Sequence, residues 1–212
     1  MRKSQKAMIT GGMLAVIAVC TVAPTLSWLS DKTDPVVNTF AGGAISIKLD
    51  EALVDTDGKA LTGDDAQRVT NNSYKYVPGS VLDKDPTPTV LKGSEECYVF
   101  MCVENNLNDK FSINYDTNSW QQVAKADSKT VYIYSETINA EQSETDVMLN
   151  PIFTQVTVST ELTSSDIKAL GEKTLTATAY AVQAKSIDKD TAINLAVSQF
   201  LPQATEVIPD IS

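Results

Sequence analysis

The chain has 212 residues, 17 basic and 27 acidic groups, and no histidine. Its acidic balance repels nucleic-acid phosphates and anionic lipid heads, which sets nucleic-acid binding aside. The missing imidazole excludes Ser-His-Asp and Cys-His nucleophile systems and every zinc motif that needs histidine.

Arg2, Lys3 and Lys6 precede an apolar run from Met13 to Ala23, followed by Pro24, Thr25 and Ser27. This is the three-part pattern of a cleavable signal peptide. The run is shorter than the roughly 20 residues that span a bilayer, so no permanent membrane span is expected. Residues 1–27 read as the leader, cut between Ser27 and Trp28. Val19 before Cys20 argues against a lipoprotein anchor. Cleavage leaves 185 residues with 14 basic and 27 acidic groups, one strongly acidic domain.

Residues 28–38 are polar around Pro35 and read as a flexible N-terminal arm, with residues 39–212 forming the folded domain. From Thr39 to Leu49 the apolar Ile45, Ile47 and Leu49 alternate with Ala44, Ser46 and Lys48, the period of a strand with one buried face. Residues 50–70 carry six acids with Gly58 and Gly63 and no apolar period, which predicts a long loop or short hairpin. Asp55, Asp57, Asp64 and Asp65 there outline at most a weak, irregular calcium site: Lys59 stands where an EF-hand needs an oxygen ligand, and no glutamate closes the loop. Pro78-Gly79 marks a turn. Pro86 and Pro88 keep the next stretch extended and near a sheet edge, with a strand over 87–91.

Glu96 to Glu104 is the strongest strand pattern. Cys97, Val99, Met101 and Val103 face one way and Tyr98, Phe100 and Cys102 the other, so both faces are apolar and a central, doubly covered strand is predicted. Cys97 and Cys102 would lie about 16 Å apart on opposite faces, beyond disulfide reach, and read as small buried hydrophobes. Further strands are predicted over 111–115, 131–134, 152–160 and 174–183. Two short helices follow from capping and periodicity, Ser164 to Leu170 and Asp188 to Phe200. The second docks Ile193, Ala196, Val197 and Phe200 on the sheets. Leu201-Pro202-Gln203-Ala204-Thr205 lacks the hydrophobic tail and basic end of a sorting signal. The carboxylate pairs Asp64-Asp65 and Glu95-Glu96 sit in no catalytic pattern. No catalytic, cofactor-binding or metal-binding residue is assigned.

Several of these residues carry a resemblance. A basic leader, Trp28 at the mature start, Asp31, Thr39-Phe40-Ala41-Gly42-Gly43 running into the Ile45, Ile47, Leu49 strand, and Pro78-Gly79 followed after four residues by Lys84-Asp85 are similar to the TasA/camelysin family. Members of that family are Gram-positive secreted proteins whose leaders are removed by the signal peptidase SipW. The resemblance spans roughly residues 25–105. It implies an all-β, jelly-roll-like β-sandwich and, for TasA-like members, assembly into extracellular matrix fibres by N-terminal strand donation.

The donor segment expected here is 28–49, with Trp28, Phe40, Ile45, Ile47 and Leu49 as the residues that carry self-association. The physics agrees, because a strand behind a flexible arm can complete its own sheet or a neighbour's open edge. In the isolated monomer the first strand is expected in its own sheet. Expected partners are the SipW-type peptidase during export, further copies of the chain, and other matrix or cell-wall components, at an extracellular or surface location. The alternative is a monomeric adhesin or ligand-binding module in which exposed Trp120, Tyr132 and Tyr134 stack on glycans, although core packing explains these rings as well. A camelysin-like protease comes third, since without histidine the metalloprotease label of camelysin-like members is not carried over.

Overall fold

The computed structural model describes residues 27–30, 45–163, 165–166 and 173–202. Within them the chain is an all-β sandwich with one α-helix described in full and a single 3-10 turn at Gly63–Asp65. Its strands are β1 (Ser27–Ser30), β2 (Ile47–Ala52), β3 (Arg68–Val69), β4 (Ser73–Tyr76), β5 (Val81–Asp83), β6 (Thr87–Val90), β7 (Cys97–Asn105), β8 (Phe111–Tyr115), β9 (Trp120–Ala126), β10 (Lys129–Tyr134), β11 (Val147–Met148), β12 (Phe153–Val158) and β13 (Leu175–Gln183). The helix α1 is Lys189–Phe200. The helix predicted over 164–170 lies largely outside the described residues, as does Phe40.

Three antiparallel sheets, ordered β13-β7-β10-β9, β11-β6-β2-β3 and β5-β12-β8, are joined by a two-stranded β1-β4 ladder. β7 is the spine, as its two apolar faces predict. Cys97, Val99, Met101 and Val103 point into the main core, where they meet Ile45, Ile47 and Leu49 of the β2 segment, Tyr74 and Tyr76 of β4, and Phe153 and Val156 of β12. Phe100 and Cys102 point the other way into a second core, closed by Ala192, Ile193, Ala196 and Val197 of α1. Full burial of each large apolar side chain contributes about 1.5–3 kcal/mol, which explains why the sheet needs cover on both faces. Asp188 caps α1, its carboxylate accepting from the Thr191 N–H at 2.9 Å, so the helix begins where the sequence predicts.

Both thiols are free and buried. Burial pushes Cys97 up to about 12 and Cys102 up to about 11, so each behaves as a small apolar group.

One expectation needs correction, and one choice is decided. β6 is not an edge strand: it lies between β2, where Pro88 faces Leu49, and the two-residue β11, which reaches only Thr89 and Val90. The outer chain runs on past β11, and its Leu149 N–H donates to the Pro88 carbonyl at 3.0 Å, so at this position the proline takes part as an acceptor. Residues 50–70 take the hairpin form, one of the two that the sequence allowed. Asp50, Glu51 and Ala52 continue β2, Glu51 and Ala52 pair with β3, and the intervening Asp55–Lys59 segment is a tight turn.

Candidate functional site

The first candidate is the strand edge that meets the N-terminal segment. Ser73-Tyr74-Lys75-Tyr76 alternates small or charged residues with aromatics, so β4 turns Tyr74 and Tyr76 inward, leaving them 1% and 0% exposed. The Tyr74 hydroxyl donates to the Asp83 carbonyl at 2.9 Å, and the Tyr76 ring meets Phe111 edge-on at 5.0 Å. The strand is therefore pinned to the core by its side chains, while its backbone ladder has β1 as its strand partner among the described residues. The register places Ser27 opposite Tyr76, Trp28 opposite Lys75, Leu29 opposite Tyr74 and Ser30 opposite Ser73.

The turn that supports β4 from below is built on Gly58. Its φ is +72°, and a Cβ there would stand 2.6 Å from Leu82 Cδ2 and 3.5 Å from Tyr74 Cδ1. Only glycine brings this backbone so close to β4 and β5. Asp55 Oδ1 accepts from the Asp57 and Lys59 N–H groups, and the Asp83 N–H donates to the Gly58 carbonyl at 2.7 Å. Lys59 Nζ reaches the Val81 carbonyl at 2.6 Å and the Asp83 carboxylate at 3.4 Å. Burial works to raise Asp83, but the Ala60 N–H, Gln155 and Lys59 outweigh it and hold this carboxyl below its usual range. Of the acids noted in sequence, Asp55 thus stabilises a turn, and among the described residues no three of His, Cys, Asp and Glu converge as a metal set.

The second candidate is a buried polar centre next to that edge. Glu51 of β2 and Lys84, just beyond β5, are 2% and 1% exposed. Lys84 Nζ donates to Glu51 Oε2 at 2.7 Å. The same carboxylate accepts from Asn72, the residue before β4, whose Nδ2 lies 2.8 Å from Glu51 Oε1. Asn72 Nδ2 also donates to the Ala52 carbonyl at 2.8 Å, and its Oδ1 accepts from the Val54 N–H at 3.1 Å. The Tyr74 ring lies 5.6 Å from Lys84 Nζ.

An outer shell closes the centre. Arg68 pairs through Nε with Asp50 and through Nη1 with Asp85 at 2.9 Å, and Asp85 Oδ1 accepts from the Ala52 N–H at 2.6 Å. Burial opposes the Arg68 charge, yet its hydrogen bonds to Asp50 and Asp85 leave it above the ordinary value.

Sequence reasoning did not find this centre. Its three members stand up to 33 positions apart, and Glu51 was only one of six acids in the predicted 50–70 loop or hairpin. One signal was present, since Lys84-Asp85 belongs to the block that carried the family resemblance.

The structure divides the expected donor segment. Ser27 and Trp28, the expected cleavage pair, open β1, whereas Ile45, Ile47 and Leu49 are 6%, 3% and 2% exposed in the core, with β2 held between β6 and β3. The aromatics assigned to glycan stacking are not exposed. Trp120 and Tyr132 are buried and Tyr134 is half-buried. Trp120 Nε1 donates to the Asn150 carbonyl at 3.0 Å with its ring 4.9 Å from Tyr134, and Tyr132 stacks on Tyr115 at 5.4 Å. They serve the core, so that route to an adhesin is corrected.

No protein-family model, curated protein or solved structure matches the chain. Among the described residues no helix is long and apolar enough to cross a membrane.

Proposed function

We propose that this chain is a secreted structural subunit of a bacterial cell surface or biofilm matrix, with a jelly-roll-like sandwich that self-associates through its N-terminal strand. One observation carries the reading: β4 has its side chains locked in the core and its ladder completed by a strand from the N-terminal segment, of which Trp28, Leu29 and Ser30 remain once the leader is cut after Ser27. A strand edge of this kind is a template, and the same hydrogen bonds form whether the added strand comes from its own chain or another copy. The sixteen residues 31–46 that connect β1 to β2 span about 55 Å when extended, several times the roughly 16 Å radius of gyration of a domain this size. An exchanged β1 therefore has reach enough to seat on a neighbour. β2 stays at home in this scheme, because withdrawing it would expose Ile47 and Leu49 and unpair Glu51 from Lys84.

The role is structural and non-catalytic, in keeping with a chain that lacks histidine. Export through a SipW-type peptidase, followed by association with further copies or with wall and matrix components, belongs to the same reading. Negative-stain microscopy of secreted protein beginning at Trp28 tests it. Polymers that vanish when residues 28–40 are deleted are expected, and persistent monomers across salt and pH would count against it.

A further inference from the structure

We propose that Lys84 and Asn72 are joined by an intramolecular isopeptide bond, formed by the protein itself with Glu51 as its proton shuttle. This goes beyond the fibre reading and holds whether β4 receives a strand from its own chain or another.

The centre holds each component such a reaction requires. The nucleophile is the Lys84 amine, 1% exposed. The electrophile is the side-chain amide carbon of Asn72, whose nitrogen sits 2.8 Å from one oxygen of the Glu51 carboxylate while the amine sits 2.7 Å from the other. A single carboxylate therefore touches both the group that must lose a proton and the group that must leave, the arrangement of general base and general acid in one residue. The Asn72 carbonyl oxygen receives the Val54 N–H at 3.1 Å, a fixed donor placed where negative charge develops on attack. Water, the competing nucleophile, is excluded, since Glu51, Asn72 and Lys84 are all buried beneath Tyr74.

The steps balance without a co-reactant. The ammonium proton passes along the existing hydrogen bond to Glu51 Oε2, leaving a neutral amine and a neutral acid. The amine lone pair attacks Asn72 Cγ, and the carbonyl electrons move onto Oδ1, held by the Val54 N–H. Glu51 gives its proton to Nδ2 and takes the second proton from Nζ. The carbonyl re-forms, the Cγ–Nδ2 bond breaks, and the released ammonia takes from Glu51 the proton that came from Nζ and departs as ammonium, leaving a Cγ–Nζ amide and the carboxylate as it began. The long, unbranched lysine stem lets the amine turn from the carboxylate oxygen towards the amide carbon.

The consequence is a covalent clamp from the residue before β4 to the residue after β5, two short strands that support the docking edge. Cys97 and Cys102, facing opposite cores, supply no such clamp.

Tryptic mapping of the folded, full-length protein, denatured just before digestion, tests the bond. We expect peptide 69–75 joined to peptide 76–92, uncut after Lys84, at their summed mass less one ammonia, about 17 Da. Asn72→Asp should give the same product by loss of water, and Glu51→Gln should release 69–75 with cleavage restored at Lys84. The wild-type digest decides the matter alone, so a Glu51→Gln chain that fails to fold does not blunt it. Free 69–75 with a cut after Lys84, or a link from Lys84 to Glu51 with loss of water, would overturn the proposal.

Discussion

Gly58→Ala should destabilise the fold far more than the same change at another left-handed glycine. Gly58 has φ +72°, and the new methyl would stand 2.6 Å from Leu82 Cδ2. A left-handed non-glycine residue costs about 1–2 kcal/mol. Leu82 is fully buried, so displacing it adds an overpacking cost of about 1–3 kcal/mol. The total is about 2–5 kcal/mol, which for a chain of this length lowers Tm by about 4–20 °C. Gly93 has φ +81° with nothing within 4 Å, so Gly93→Ala isolates the backbone cost alone. Paired thermal melts followed by circular dichroism give the comparison. Equal shifts for the two variants would refute the claim that the Asp55–Lys59 turn is wedged against β4 and β5.

Three further outcomes follow from the packing and the charges. Phe100→Ala empties a fully buried site in the second core and should cost about 3–5 kcal/mol by denaturant titration, with α1 loosened first in hydrogen exchange. In an Asn72→Ala background, where no amide link forms, Lys84→Met strands the Glu51 carboxylate and should cost about 3–5 kcal/mol, while Lys84→Met with Glu51→Leu recovers most of it, read from the same titrations. The two thiols should labilise the fold in alkali. Their folded values of about 12 and about 11 stand above the ordinary value of 9.0, so the unfolded chain ionises first. Stability is then full below about pH 9 and falls as pH rises towards 11–12. A Cys97→Ala/Cys102→Ala chain should show a shallower alkaline limb, and an unchanged limb would contradict the burial.

Much of the scaffold was legible because strand and helix periods act locally. The two-faced run at β7, the alternation of Ile45, Ile47 and Leu49, and the helix opened by Asp188 each announce themselves within a dozen residues. β9 did not, because Trp120, Val123 and Ala124 are buried at helix-like spacing, and the β9-β10 ladder shifts register between Val131 and Tyr132. A bulge of this kind breaks the period that marks a strand. β4 was missed because Ser73–Tyr76 is only four residues between Asn72 and the Pro78-Gly79 turn, too short a window for alternation to register. The buried centre was illegible for a different reason. A charged residue reads as solvated until the chain brings its counter-ion, and Glu51 meets Lys84 only when β2 packs beside the segment after β5. The aromatics at 120, 132 and 134 show the converse, since composition alone does not tell an exposed ring from a core one.

The central claim is that β4 is completed by an exchangeable N-terminal strand, and a cysteine pair placed across the ladder tests it most directly. Trp28 and Lys75 stand opposite each other in the antiparallel register, and opposite residues bring their Cβ atoms to about 4.5–5.5 Å, near enough for a disulfide after a small adjustment. Mature Trp28→Cys/Lys75→Cys protein, oxidised after assembly and run on a non-reducing denaturing gel, should give a ladder of covalent oligomers that collapses to monomer on reduction. Crosslinked monomer alone from assembled material, or no crosslink at all, would contradict the account.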